Sequence, residues 1–145
     1  MNWKFVSYKE IVEYAIGREV RAYELYVDLS KRMVYPETCQ LCEELANEEQ
    51  EHKAKLEKEI VKKYKLISHV NLSKYDITDS DVNIFKNCHS MLSFAIKKEQ
   101  AAADLYREVA DLVKNEDARQ LFMWLAQEEL RHKQQLGLEY DNLLK

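Results

Sequence analysis

Leu45-Ala46-Asn47-Glu48-Glu49-Gln50-Glu51-His52 and, 80 residues later, Leu125-Ala126-Gln127-Glu128-Glu129-Leu130-Arg131-His132 decide the reading of this chain. In each stretch a Glu-x-x-His pair sits one helical turn apart and so shares a helix face. The offset extends upstream, because Ala15-Ile16-x-x-Glu19 becomes Ala95-Ile96-x-x-Glu99. Tyr26 answers to Tyr106, and Leu56 to Leu136. Four carboxylates and two imidazoles thus recur as two matching sets. Such a set is expected of four helices that hold two metal ions between them.

The flanking residues support four helices. Ser7-x-x-Glu10 reads as a capping box that starts the first helix. Its apolar seam is Val12, Ala15, Ile16, Ala22, Tyr23, Tyr26, Leu29 and Met33, with Glu19 in mid-seam. Val34-Tyr35-Pro36 breaks it, and Pro36 suits the first turn of a second helix. That helix carries Leu41, Cys42, Leu45, Glu49, His52, Leu56 and Ile60, and is expected to fade at 64–67. Residues 68–86 read as a long connection, with a short helical piece at Asp81–Phe85 as an option. The third helix runs from Asn87 or Ser90 to Val113, with Glu99 in its seam. Lys114-Asn115 is the next turn, and the fourth helix carries Ala118, Leu121, Phe122, Leu125, Glu129, His132, Leu136, Tyr140 and Leu143. The expected organisation is one all-α domain over 1–145: a hairpin at about 7–67, a crossover at 68–86 and a second hairpin at about 87–144.

Spacing places the ligands. In each hairpin the two glutamates are 30 residues apart and centred on the turn. They therefore lie at equal depth on antiparallel neighbours, about 22 Å from the turn at ~1.5 Å per residue. A linker of roughly 20 residues spans up to about 66 Å, whereas a ~28-residue helix is about 42 Å long. The linker can cross the whole bundle, which puts the two turns at opposite ends and both ligand sets at mid-height. It could also permit exchange of hairpins between two chains. Four carboxylates buried together repel one another and are costly to desolvate. Two divalent cations neutralise them, and the mixed oxygen and nitrogen donors suit iron or manganese.

Composition is consistent with this. Two glycines and one proline leave few turns. A net charge of −4 gives no footprint for nucleic acid, and no polybasic run suits an anionic membrane. No apolar run reaches the ~18 residues of a membrane span. The first residues lack a signal-peptide layout, so a cytoplasmic protein is expected. Three cysteines do not make a disulfide framework. Cys39-x-x-Cys42 lies on a helix without a second pair, and Cys42 reads as a small core residue. Cys88, His69 and His89 read as structural or exposed. Glu48, Glu51 and Glu128 fall off the seams and read as surface charges.

The ordered set Glu19, Glu49-x-x-His52, Glu99, Glu129-x-x-His132 resembles the rubrerythrin branch of the ferritin-like superfamily over nearly the whole chain. The resemblance implies a ferritin-like four-helix bundle with a non-haem di-iron centre that reacts with hydrogen peroxide or dioxygen. It casts Glu49 and Glu129 as bridging ligands, Glu19 and Glu99 as terminal ones, and His52 and His132 as completing one metal each. Two iron ions are the expected cofactor, with manganese or a mixed pair as alternatives. Two departures stand out. Rubrerythrins carry an extra Glu one turn after the third-helix ligand; Ala102 stands there, which makes the site more symmetric and weighs against efficient peroxidase action. They also append a four-cysteine iron domain, which this sequence lacks, so turnover calls for an external donor such as a rubredoxin-like protein. Tyr26 and Tyr106 lie two turns beyond Glu19 and Glu99 on the same face. They fit core tyrosines, hydrogen-bond donors to a ligand carboxylate, or electron donors to an oxidised centre. The leading expectation is an oxidoreductase, with ferroxidase or iron handling, or non-catalytic dinuclear metal binding, as alternatives. A homodimer is the expected assembly.

Overall fold

A computed structural model describes residues 6–77 and 87–143. Four long helices account for most of it: α1 (Tyr8–Arg32), α2 (Pro36–Glu57), α3 (Cys88–Leu112) and α4 (Glu116–Leu143). Each start has a local cause. Ser7 accepts from the backbone N–H of Glu10, and the Glu10 carboxylate accepts from that of Ser7, closing the capping box. Pro36 occupies the first turn of α2, where its missing N–H costs nothing. The Asn87 side chain accepts from Ser90 N at 2.8 Å, and that of Asn115 from Ala118 N at 3.0 Å.

The bundle is two antiparallel hairpins, α1–α2 and α3–α4, laid together head to tail. One core cluster joins Ile11, Val12 and Ala15 of α1 to Leu56 of α2, Val109 and Val113 at the end of α3, and Phe122 and Leu125 of α4. The other joins Leu25 and Leu29 to Cys42 and Leu45, Met91 and Leu92, and Leu136. The first cluster therefore holds the α3–α4 turn and the second the α1–α2 turn, at opposite ends. The described parts of the linker agree with this: Leu66 and Val70 pack with the first cluster, and Ile77 and Cys88 with the second. Between the two apolar clusters lies a layer of buried charge.

The second helix stops at Glu57, well short of the expected 64–67. Buried Glu59 is drawn under the first hairpin, where Tyr8 Oη donates to it at 2.7 Å and Lys62 pairs with it at 2.8 Å. The chain then extends. Leu66 forms an isolated bridge with Val113, through Ile67 N to Leu112 O and Lys114 N to Lys65 O, both 2.8 Å. Backbone groups at the α3–α4 turn gain partners that a longer α2 would deny them. A 3-10 turn at Leu72–Tyr75 follows. The optional helix at Asp81–Phe85 lies outside the described residues. Among the described residues, no helix is long and apolar enough to cross a membrane.

Candidate metal centre

All six singled-out ligand positions lie in the mid-height layer, and all are buried: Glu19, Glu49, His52, Glu99, Glu129 and His132 are each at most 1% exposed. Both imidazoles turn Nδ1 inward. His52 Nδ1 lies 2.8 Å from Glu129 and 3.0 Å from Glu49, with Glu19 at 3.7 Å. His132 Nδ1 lies 3.4 Å from both Glu49 and Glu99, and 3.9 Å from Glu129. The rings are nearly parallel, 5.6 Å apart with 8° between planes. Beside a three-residue group of Glu49, His52 and His132, two overlapping four-residue groups result: Glu19, Glu49, His52 and Glu129; and Glu49, Glu99, Glu129 and His132. Glu49 and Glu129 belong to both.

The tyrosines cross between hairpins. Tyr26 of α1 donates to Glu99 of α3 at 2.7 Å, and Tyr106 of α3 donates to Glu19 of α1 at 2.6 Å. Burial, reinforced by the carboxylates, holds both phenols far above their ordinary pKa, so they remain donors.

Two residues read as surface charges take a different place. Glu48 Oε2 lies 2.7 Å from His132 Nε2, and Glu128 Oε1 lies 3.8 Å from His52 Nε2. Arg131 ties these two glutamates together, reaching each at 3.0 Å. Both leave the seam at the backbone, and a glutamate side chain is long enough to reach the outer nitrogen of a histidine on the facing helix, as that of Glu48 does.

A further participant is Arg18, which is 5% exposed. Its Nη1 contacts Glu19 at 3.2 Å and both Glu49 and Glu129 at 2.8 Å, while Nη2 contacts Glu99 at 2.7 Å. One guanidinium thus touches all four carboxylates. Burial alone would lower its pKa, but the four carboxylates together push it well above the usual value. A signal existed in the sequence. Ile11, Ala15, Arg18, Ala22, Leu25 and Leu29 form a strict four-three seam, and Arg18 is its one charge.

The charges are unevenly divided. Burial would raise Glu19 and Glu99, but Arg18 and the histidine beside each hold both below the usual carboxylate range. Glu49 is pushed up to about 7 by burial and by Glu19 and Glu99, against the pull of Arg18. Glu129 is raised by burial, and Glu49, Glu99 and Glu19 outweigh Arg18. Burial would lower His52, yet the neighbouring carboxylates of Glu19 and Glu49 raise it to about 10; His132 is raised by Glu99 in the same way. Without metal the cluster is balanced by Arg18 and by protons.

The donors fit divalent cations. Glu19 Oε2, Glu49 Oε1, Glu99 Oε2, both Glu129 oxygens and both inward Nδ1 atoms are buried and lack a well-directed hydrogen bond. Buried polar atoms are almost always paired. Here they converge on one another, which is costly unless cations stand between them.

The comparisons agree with this geometry. No curated protein matches the chain. Among solved structures it is similar to a hypothetical protein from Pyrococcus furiosus, at 25% identity and a TM-score of 0.73, over 94% of this chain and 89% of that one. The family model described as Rubrerythrin matches residues 10–85 and 90–143, which take in all six buried donors. With its two hairpins and its repeated Glu…Glu-x-x-His sets, the chain belongs to the rubrerythrin family.

Proposed function

We propose that the chain is a di-iron oxidoreductase that reduces hydrogen peroxide or dioxygen with electrons from a separate donor protein of rubredoxin-like type. The observation that carries this reading is the convergence of four buried carboxylates and two imidazole Nδ1 atoms into two groups that share Glu49 and Glu129. When bound, two iron ions supply the electrons that reduce the oxidant. The protein supplies geometry, charge balance and exclusion of water.

Glu49 and Glu129, each near both histidines, are the carboxylates that would be shared between the two ions. Glu19 with His52, and Glu99 with His132, complete the two positions. Tyr26 and Tyr106 hold the terminal carboxylates in place, and their phenol protons lie next to the oxygens that would accept metal. Glu48 keeps the outer nitrogen of His132 occupied, which presents its Nδ1 as the lone-pair donor, while Glu128 stands 3.8 Å from that of His52, beyond hydrogen-bond reach.

The test is metal content of anaerobically purified protein, followed by visible absorption on adding one equivalent of hydrogen peroxide. Two irons per chain and a rapid absorption change are expected. Absence of bound metal would overturn the reading. A second reading, a non-catalytic dinuclear metal-binding protein, is favoured by Arg18, whose guanidinium lies among the shared carboxylates. It predicts bound metal without an absorption change.

A further inference from the structure

Arg18 stands between the carboxylate layer and a groove of about 810 Å³ on the α1–α3 face. Tyr14, Arg21, Asp76, Lys98 and Ala102 line this groove with it. The guanidinium is therefore the wall that separates the ligand oxygens from the groove.

Its position is incompatible with a fully loaded centre. Four carboxylates are balanced by two divalent cations, so a guanidinium kept among them would leave a buried, unneutralised positive charge. Nη1 also lies at 2.8 Å from oxygens of both Glu49 and Glu129, the residues common to the two ligand groups. A cation bridged by that pair would be thrust against it.

The repeat shows where such a side chain goes when it is outside the cluster. The residue 80 positions after Arg18 is Lys98, in the matching seam Met91, Ala95, Lys98, Ala102, Leu105 and Val109. Lys98 is only half-buried and lies in the groove, its ammonium 5.5 Å from the Phe94 ring centre. Related positions on paired helices thus hold one cation inside and one outside. Ala102, one turn from Lys98, lines the groove with a small side chain.

Resting on the metal-centre reading above, we propose that Arg18 is a removable internal counter-ion. It holds the four carboxylates together in the metal-free protein, and it swings into the α1–α3 groove when two metal ions load. Entry of metal from that side is gated by this one side chain.

The experiment titrates chelator-stripped wild-type and Arg18→Met proteins with Co²⁺ by calorimetry and melts both with and without the metal. The variant is expected to bind Co²⁺ about tenfold or more tightly, because the wild-type site is competent only in the fraction of molecules with Arg18 out. It is also expected to melt lower than wild type without metal and to regain the difference with Co²⁺. Equal affinities together with equal metal-free melting would overturn the proposal. Should the variant fail to fold without metal, the wild-type protein decides the matter alone. Arg18 is expected to resist phenylglyoxal in the stripped protein and to be modified at two Co²⁺ per chain, as read by peptide mass spectrometry. Continued protection at full loading overturns the counter-ion while leaving the metal centre intact. Failure of both proteins to bind Co²⁺ overturns the metal centre and the counter-ion with it.

Discussion

Glu48 of α2 and His132 of α4 face each other across the bundle, with Oε2 2.7 Å from Nε2. Glu128 and His52 repeat the relationship in the opposite direction, at 3.8 Å. Glu48 thereby orients His132, whereas the Glu128 contact is too long for a hydrogen bond and leaves His52 Nε2 without one. A carboxylate on the outer nitrogen fixes the tautomer and strengthens the inner nitrogen as a ligand. Glu48→Ala is expected to lower metal affinity by about 10–100-fold at the His132 position. Glu128→Ala, which loses the longer contact, is expected to cost less. Calorimetric titration of the stripped proteins with Co²⁺ gives both numbers, and equal affinity in wild type and Glu48→Ala would remove the orienting role.

The shared carboxylates should be the most sensitive. Glu49→Ala and Glu129→Ala each remove a ligand from both four-residue groups, whereas His132→Ala removes one from only one of them. Metal analysis is therefore expected to find weakened binding of both ions in the glutamate variants and of one in His132→Ala. Two tightly held ions in both Glu49→Ala and His132→Ala would disprove the assignment.

The bundle was legible in the sequence because its signals are local and repeated: seams of period 3.6, a capping box at Ser7, Pro36 at a helix start, and one offset of 80. The six clustered positions were legible because charge in an apolar seam needs a cause. Arg18 was missed although the same argument applied to it; its neighbour Glu19 drew the seam one residue over. Glu48 and Glu128 were missed because their Cα atoms do lie off the seam, and only side-chain reach brings them to the rings. The end of α2 was misplaced because a distant partner sets it. The pairing of Leu66 with Val113, and the burial of Glu59 beneath Tyr8, are tertiary facts that no local pattern encodes.

That last contact gives a stability test away from the metal. Glu59 is 5% exposed and accepts from Tyr8 at 2.7 Å. Tyr8→Phe keeps the ring in the core and deletes the donor, leaving a buried carboxylate with Lys62 alone. A loss of about 1–3 kcal/mol is expected, read by urea denaturation. The double variant Tyr8→Phe, Glu59→Gln should recover part of it, since the uncompensated charge is gone.

Acidity should act in opposite directions on metal-free and loaded protein. His52 stands at about 10 when folded against an ordinary 6.5. A raised base contributes stability that is fully present below its unfolded value and is lost as pH rises through its folded one. Glu49, raised to about 7, loses stability in the same direction lower in the range, as pH rises from 4.5 to about 7. The stripped protein is therefore expected to melt progressively lower as pH rises from 7 to about 10. Ligation needs neutral imidazoles and ionised carboxylates, so metal binding releases protons and tightens between about pH 6 and 9. Melting curves of stripped and Co²⁺-loaded protein across that range should diverge. Parallel curves would show that the histidines do not carry the protons assigned to them.

Trp124 supplies a reporter for one position and not the other. Its indole meets the His52 ring edge-on at 5.3 Å and carries the Lys55 ammonium 5.2 Å from its centre. The repeat places Glu44 at the corresponding position of the first hairpin, so His132 has no equivalent indole supplied by the repeat. Paramagnetic Co²⁺ held by His52 would be bound to the ring that Trp124 touches, whereas an ion held by His132 would not. In a Trp3→Phe background, where Trp124 is the remaining tryptophan, Co²⁺ is expected to quench the fluorescence. His52→Ala should abolish most of that quenching, and His132→Ala should retain it. Equal quenching in the two variants would mean that the metals do not divide between the histidines as the geometry divides them, and the shared role of Glu49 and Glu129 would have to be redrawn.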